Sequence, residues 1–552
     1  MALRLRRIGP HGGLQTPHER VTEYSDKIVR PVVRKSTLGI LLALALPCAS
    51  AVAQDTTTVK VDASQSGPKI DRHVFGQFAE DLGRQINGGI WVGRKSKIPN
   101  TRGMRKDVVA ALKELHVPVV RWPGGCYADQ YHWRDGVGPA KTRKARVNAA
   151  WGDVVEPNTF GTDEFMDFAS QIGADAYISI NVGSGTVKEA ADWLEYMTAD
   201  KPTALSRERA ANGHRAAYKV PYLGIGNESW DCGGLMSPEE YVTQLKLYGR
   251  FVNSFDKTSP MQKIAVGPGG PGTEYTEAVM KTWKERRGWS WDIHGLSMHN
   301  YTIGGWPPHY AATGFGEQDY AVLLNETLKM EGLIKTQSAV MDKYDPEKKI
   351  SLVVDEWGSW LAPTKGSNPS FLEQQNSQRD AIIAAINLNT FARHADRVRM
   401  ANIAQMVNVL QAMIFTDGAK MLLTPTYHVF KMYVPFQDAV VLPVSFDAGS
   451  YSVGGITLPR VDAIAAKAKD GKIVIALTNI DPNQSVNFDV SVPGINATVA
   501  RGQILTAPKI DSVNTFDAPR TVWPKAVAAE VKDGKLSIAL APASVMVLSL
   551  YR

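Results

Sequence analysis

Short apolar runs alternate with longer amphipathic stretches through most of this chain, and several of the runs stop abruptly at polar groups. Val74 to Phe78, Val119 to Arg121, Ala176 to Asn181, Tyr222 to Gly226, Ile264 to Gly267, Gly295 to His299, Leu352 to Val354 and a stretch within Met400 to Val409 form a series of eight. Runs of this kind fit strands buried on both faces of a parallel sheet, and the helical stretches between them fit repeated βα units. Eight units predict a closed (β/α)8 TIM barrel. The helices carry start signals with a physical basis. Ser237-Pro238-Glu239-Glu240 offers a capping hydroxyl, a proline where no amide hydrogen is needed, and a glutamate to close the capping box. Thr186 with Glu189 repeats the device, and from Glu274 to Arg286 and Gln318 to Lys343 apolar residues recur at roughly helical spacing.

The texture changes beyond Thr426. Lys472 to Leu477, Val486 to Val492 and Lys535 to Leu550 contain alternating or apolar strands separated by Asp-Gly and Pro-Gly turns, which reads as a C-terminal antiparallel β-sandwich. Thr58 to Asp62 alternates as a half-buried strand should but has no place in the barrel count, so it is assigned to pair with the sandwich. At the N-terminus, Arg34-Lys35, the apolar run Leu38 to Leu46 and Ala51-Val52-Ala53 read as a secretory signal. The expected organisation is a leader over 1–53 with the true start at Val32 or Val33 and cleavage near 53/54, then a strand within 54–69, a barrel over 70–425 and a sandwich over 426–552. The expected location is exported, periplasmic or extracellular.

Charge and cysteine content then narrow the function classes. Residues 1–53 hold eight Lys/Arg and three Asp/Glu, so without them the formal charge falls from +7 to +2. The remainder has no basic excess of the kind nucleic-acid binding requires. No apolar run approaches the ~20 residues of a membrane span, so no membrane partner is expected. Cys48 lies in the leader; Cys126 and Cys232 form either a disulfide, as an exported chain permits, or two free thiols. No Cys/His cluster has metal-ligand spacing, so no metal and no cofactor are expected. Gly267-Pro268-Gly269-Gly270-Pro271-Gly272 lacks the Lys-Ser/Thr of a phosphate loop, and its prolines remove amide donors; it reads as a tight turn.

Candidate chemistry sits where the strands end. Tyr222-Leu223-Gly224-Ile225-Gly226 runs into Asn227-Glu228-Ser229-Trp230, and Ser351-Leu352-Val353-Val354 runs into Asp355-Glu356-Trp357. Each glutamate alone reads equally well as a charged strand terminus. Two at the C-terminal ends of barrel strands, where barrels build active sites, point to an acid/base and a nucleophile acting on a glycosidic bond.

The chain also resembles the α-L-arabinofuranosidases of glycoside hydrolase family 51, within the clan of retaining barrel glycosidases. The resemblance rests on Asn227-Glu228 and Glu356 together with Phe78 to Arg84, Arg121-Trp122-Pro123-Gly124-Gly125-Cys126, Tyr131 to Gly136, Gly161 to Phe165, Ser297-Met298-His299-Asn300-Tyr301 and Asn402 to Leu410. It implies that Glu228 is the general acid and then base, and that Glu356 is the nucleophile. It also implies that Asn227 bonds the sugar 2-hydroxyl, that Glu80 and Gln405 bind sugar hydroxyls, that Tyr301 orients the nucleophile, and that His299 lies among the substrate-binding residues. Structural alternatives stand beside these roles: a strand-end cap for Asn227, a salt bridge to Arg84 or Arg121 for Glu80, and interior packing for Tyr301 and Gln405. Trp151, in a long loop, is a candidate to stack on the sugar or its aglycone, and Trp230, Trp306, Trp357 and Trp360 are candidates to line the cleft, with barrel packing an equal alternative for Trp357. Cys126 departs from the pattern, standing where many relatives carry a sugar-binding Asn, and Cys232 lies four residues past the acid near the same rim.

The expected activity is therefore exo-acting, retaining release of terminal arabinofuranose from arabinoxylan, arabinan or derived oligosaccharides. The family resemblance adds a homo-oligomer. An endo-acting glucanase or xylanase on the same barrel, and a carbohydrate-binding protein that lost its chemistry, are the competing readings.

Overall fold

The computed structural model of the protein describes residues 56–552. Parallel strands Gly76–Phe78, Val119–Trp122, Asp175–Ile180, Tyr222–Ile225, Gln262–Ala265, Gly295–Thr302, Ser351–Ser359 and Val398–Ile403 pair in chain order, and the eighth closes onto the first. Almost every residue in them is buried, because the lumen covers one face and helices the other; apolar runs rather than alternation therefore mark them. The first strand is shorter than its apolar run. Arg72–Phe75 is a 3-10 turn capped by Asp71, and it buries Val74 and Phe75 without placing them in the ladder.

The helical start signals act as their chemistry requires. The Thr186 hydroxyl accepts the Glu189 amide ahead of Val187–Thr198, and Ser237 with Glu240 forms a capping box ahead of Pro238–Phe251. Helices Glu274–Glu285 and Glu317–Tyr344 cover the two stretches of helical periodicity. Pro425–Tyr433 is a further helix, lying where the strand-rich texture was expected to begin. Its Thr424-Pro425 start is the same hydroxyl-and-proline signal as at Ser237-Pro238. Among the described residues, no helix is long and apolar enough to cross a membrane.

Within the lumen, Val119, Tyr177, Tyr222, Ile264, Val353 and Met400 pack as one buried cluster. These side chains fill the barrel below its C-terminal mouth, which leaves the mouth as the open end. Apart from four two-stranded ribbons, the remaining strands form a four-stranded and a six-stranded sheet enclosing a second apolar core that includes Val59, Val61, Leu477, Phe488, Leu536 and Leu548. Thr56–Val61 lies between Val444–Phe446 and Val486–Ser491, antiparallel to the first and parallel to the second; the other pairings of these two sheets are antiparallel. Polar bonds tie this layer to barrel helix Gln378–Arg393: Arg393 Nη1 to Asp462 Oδ1 at 2.8 Å and Gln378 Nε2 to the Ala543 carbonyl at 2.7 Å. The sandwich thus braces the barrel beside the strand that carries Glu356.

Candidate active site

Two local irregularities aim the carboxylates into the mouth. Glu228 follows the fourth strand with φ at +36°, a left-handed conformation that is strained for a side chain of this size. The Asp231 and Gly233 amides donate to its carbonyl at 2.8 and 3.0 Å, fixing that turn. In the seventh strand the register against the sixth slips by one between Met298 and His299, so that Met298 faces Val354 while His299 faces Glu356. Bulges re-aim side chains in this way.

The two carboxylates meet across His299. Its Nδ1 lies 2.9 Å from Glu228 Oε1 and 3.6 Å from Glu356 Oε1, and each of the three residues offers an atom within 4.8 Å of the others. Glu356 is held from both sides: Arg121 Nη1 donates to Oε1 at 2.7 Å and the Tyr301 hydroxyl to Oε2 at 2.7 Å. The other arm of Arg121, Nη2, donates to Asn227 Oδ1 at 2.6 Å, which turns the Asn227 amide nitrogen away from Arg121. Gly125 lies so close that a Cβ there would meet Glu356 Oε1 at 2.8 Å, so the Gly-Gly turn is a requirement of the approach to the nucleophile.

Burial raises the Glu228 carboxyl; His299 opposes that rise and the charge of Glu356 adds to it, and the net direction is above the ordinary carboxylate value. Burial also raises Glu356, but the charges of His299 and Arg121 and the bonds from Tyr301 and Arg121 outweigh it and hold Glu356 below that value. His299 is raised despite its burial, because both glutamates favour its charged form. One carboxyl pushed up beside one held down is the division of labour of an acid and a nucleophile.

The other expected residues line the same space. Glu80 Oε1 accepts the Gly125 and Tyr127 amides at 3.0 Å each, and Oε2 accepts Gln405 Nε2 at 2.8 Å. The salt-bridge alternative for Glu80 fails, since Arg84 pairs with Glu373 and Arg121 with Glu356. Tyr301 lies inside the sixth strand rather than past it, and Gln405 two residues beyond the eighth. Trp151 sits at the turn between the short strands Arg146–Asn148 and Val154–Glu156 and packs on the cluster of Phe78, Leu82 and Leu410. Its indole faces Glu80 and helps to hold that carboxylate, whereas Gln405 Oε1 has no hydrogen-bond partner and remains available to a ligand's hydroxyl. Cys126 is joined to Cys232 in a disulfide whose sulfurs lie 4.0 and 3.5 Å from Glu228 Oε2.

The tryptophans divide. Trp360 meets Tyr301 edge-on at 5.0 Å between centroids, and Trp306, 76% exposed, meets Trp360 at 5.6 Å, so these three aromatics lead from the nucleophile outward. Trp357 is buried against Phe391 and Phe430, and Trp230 donates its N–H to the Gly267 carbonyl while its ring covers Gly269. Trp357 is thus a packing residue and not part of the cleft, and the ring of Trp230 shapes the glycine-rich turn.

Sequence reasoning considered Arg121 only as a partner of Glu80 and passed over Asp355. Asp355 accepts the Tyr177 hydroxyl at 2.6 Å and Asn402 Nδ2 at 2.8 Å, and lies 3.6 Å from Arg121 Nε. The available signal was a charged residue closing an otherwise apolar strand, Val119-Val120-Arg121, which a buried lumen tolerates only when the charge is paired.

Comparisons with known proteins fit this geometry. Residues 111–269 match the family model described as "Alpha-L-arabinofuranosidase 1 domain", and residues 355–544 the one described as "Alpha-L-arabinofuranosidase C-terminal domain". An "Intracellular exo-alpha-L-arabinofuranosidase" of Bacteroides ovatus is 44% identical over 94% of this chain and all of its own length. The crystal structure of the GH51 arabinofuranosidase from Xanthomonas axonopodis pv. citri is 50% identical, covers 90% of this chain and 99% of its own, and superposes with a TM-score of 0.87. An α-L-arabinofuranosidase from Thermotoga maritima, in an arabinose complex, is 30% identical, covers 89% of this chain and 99% of its own, and has a TM-score of 0.76. The relative from Bacteroides ovatus overturns the expectation of export, being described as intracellular. The leader and signal-peptide assignment behind it falls on residues outside those described, and a brief apolar run after two basic residues is too common a pattern to carry a location. The chain belongs to glycoside hydrolase family 51, among its α-L-arabinofuranosidases, and is an exo-acting enzyme on arabinose-containing substrates.

Proposed function

We propose that Glu356 is the nucleophile and Glu228 the general acid and base of a double displacement on terminal arabinofuranosyl groups of arabinoxylan, arabinan and their oligosaccharides. In the first step a Glu356 oxygen bonds the anomeric carbon as the glycosidic oxygen leaves with the proton of Glu228. In the second, Glu228 takes a proton from water, whose oxygen displaces Glu356 and restores the configuration. The observation that carries this reading is the pair of carboxylates within 4.8 Å across His299, pushed in opposite directions from the ordinary pKa. Retaining enzymes hold such groups about 5 to 5.5 Å apart. Around them, Asn227 Nδ2 is oriented to meet a 2-hydroxyl, Glu80 and Gln405 to bind other hydroxyls, and Trp151, Trp360 and Trp306 to pack against the sugar and the chain it leaves.

Glu228→Ala on two kinds of leaving group tests the assignment. A nitrophenol departs as a stable anion, so its first step stays comparatively fast; a xylose or arabinose hydroxyl needs the proton, so that step collapses. The second step lacks its base in both cases. A burst of nitrophenol is expected, with turnover restored by azide to give a glycosyl azide of retained configuration. Equal losses on both substrates with no azide rescue would move the acid role elsewhere, to Asp231 or Glu80.

A further inference from the structure

One wall around Glu228 is built of sulfur. The Gly-Gly turn after the second strand leads into Cys126, the turn that begins at Glu228 leads into Cys232, and the two cysteines are joined as a disulfide. The backbone fixes both arms. Gly125 and Tyr127, which flank Cys126, donate their amides to Glu80, and the Asp231 and Gly233 amides close the other turn on the Glu228 carbonyl. Cys232 Sγ then lies 3.5 Å and Cys126 Sγ 4.0 Å from Glu228 Oε2.

A disulfide sulfur carries no hydrogen and is a weak acceptor. Each of these contacts is therefore a hydrogen bond only when Oε2 holds a proton, which it then donates to sulfur. The two oxygens of the carboxyl differ in this respect. Oε1 lies 2.9 Å from His299 Nδ1, and the neighbouring glutamates favour the charged, donating form of that imidazole, so Oε1 is the oxygen suited to negative charge. Among the described residues, the groups within bonding reach of Oε2 are the two sulfurs. The other charged or titratable groups around this carboxyl do not supply a donor: Glu356 and Asp231 oppose its ionisation, Tyr301 bonds Glu356, and Arg121 is engaged by Glu356 and Asn227. A donor in place of sulfur would stabilise the anion and draw the proton off.

We infer that the Cys126–Cys232 disulfide is a positioning group for the acid, a wall without donors that keeps the transferable proton of Glu228 on Oε2. Its effect on rate rests on the acid role proposed above; its effect on the proton does not. In the first step the Oε2–H bond breaks, its electron pair stays on the carboxylate, and the proton passes to the departing glycosidic oxygen. The anion keeps its bond from His299 at Oε1 and gains none from sulfur, so Oε2 stays basic for the proton it takes from water in the second step.

Two double substitutions in the full-length protein, both lacking the bridge, separate the chemistry of this wall from its mechanical role. Cys126→Ala with Cys232→Ala leaves no donor, whereas Cys126→Ser with Cys232→Ser sets two hydroxyls beside Oε2. Relative to the alanine pair, the serine pair should lower the pH at which the Glu228 carboxyl titrates by about one pH unit. The titration is read from the carboxylic-acid infrared band that disappears in Glu228→Gln. The alkaline limb of kcat/KM on an arabinoxylan oligosaccharide should move down equally, and on a nitrophenyl arabinofuranoside, whose leaving group needs no proton, it should stay. If neither pair folds, phosphine reduction of the wild-type bridge puts two S–H donors at the same positions, and the infrared titration should fall on reduction and return on reoxidation. An infrared titration that is the same with and without donors overturns the inference and leaves the bridge a mechanical tie. So does peptide mapping that finds Cys126 and Cys232 unlinked in the native protein. A titration that falls while both limbs stay keeps the disulfide's hold on the proton and overturns instead the acid role of Glu228.

Discussion

The two ends of the barrel use buried polar groups for opposite purposes. At the base, His73 sits between Asp71 Oδ1 at 2.6 Å and Asp175 Oδ2 at 3.2 Å, against the Tyr222 ring, and Lys263 Nζ is bonded to the Gly249 carbonyl at 2.7 Å and Asn253 Oδ1 at 2.9 Å. Each charge there has its partners within the fold. At the mouth, Gln405 Oε1 has none, Glu228 occupies a left-handed backbone conformation, and the charge of Glu356 opposes the ionisation of Glu228. A fold optimised only for stability would remove all three features. The base contributes the stability that lets the mouth keep groups in reserve for a sugar, the usual division between the bottom and top of such barrels.

Mutations at the mouth should therefore cost activity far more than stability. The largest effect is expected from Glu356→Ala, which removes the atom that forms the glycosyl-enzyme; turnover of every substrate should fall on the order of 10⁴-fold or more. Recovery of most wild-type turnover without added azide or formate would end its assignment as nucleophile. Arg121→Met comes next and blurs the contrast on purpose, because Arg121 belongs to both the site and the core. It should lower kcat/KM by about 10² to 10³-fold, and breaking a buried pair should cost about 3 to 5 kcal/mol in denaturant unfolding. Arg121 helps to hold Glu356 below its ordinary pKa, so its loss should also move the acidic limb of the pH–rate profile upward. An unmoved limb would leave Arg121 a purely structural role.

The same contrast explains what could be read from sequence. Strand order, the helix caps and the strand end at Asn227-Glu228 were legible because each is encoded within a few neighbouring residues, whereas Glu356, read as closing the seventh strand, lies inside Ser351–Ser359. The Arg121 bond to Glu356 joins positions 235 apart, and one chain carries no local trace of such a partner. Val74 and Phe75 read as strand because burial selects apolar residues in a 3-10 turn as readily as in a ladder. From sequence, Trp357 fits cleft and core equally well. Strand alternation resolves it: the residue after a lumen-facing Glu356 faces the helices, where Phe391 and Phe430 receive it.

A milder change at the mouth is Tyr301→Phe, which deletes one hydrogen bond to Glu356 Oε2 and leaves the nucleophile and its Arg121 contact in place. A bond to a charged group is worth about 1.5 to 3 kcal/mol, so kcat should fall by roughly 10 to 100-fold on aryl and oligosaccharide substrates alike, with the melting temperature nearly unchanged. An unchanged rate would assign Tyr301 to packing against Trp360.

The smallest effect on turnover is expected at the base, from His73→Gln. Burial lowers the His73 pKa, but Asp175 and Asp71 more than compensate and raise it from 6.5 to about 9. Below pH 6.5 the imidazole is protonated in folded and unfolded chains alike, and the full stabilisation is present; as pH rises toward 9 the unfolded chain binds fewer protons than the folded one, so stability falls. The shift corresponds to at most about 3 kcal/mol. Asp71 and Asp175 are 39% and 51% exposed, so screening should reduce this to about 1 to 2 kcal/mol. In denaturant titrations the variant should be less stable than wild type at pH 6 by that amount, and the gap should narrow by pH 9.5, with kcat the same for both proteins at either pH. A gap of equal size at both pH values would mean that His73 acts through its packing on Tyr222 rather than through its charge, and a fall in kcat would mean that base and mouth are coupled through the lumen.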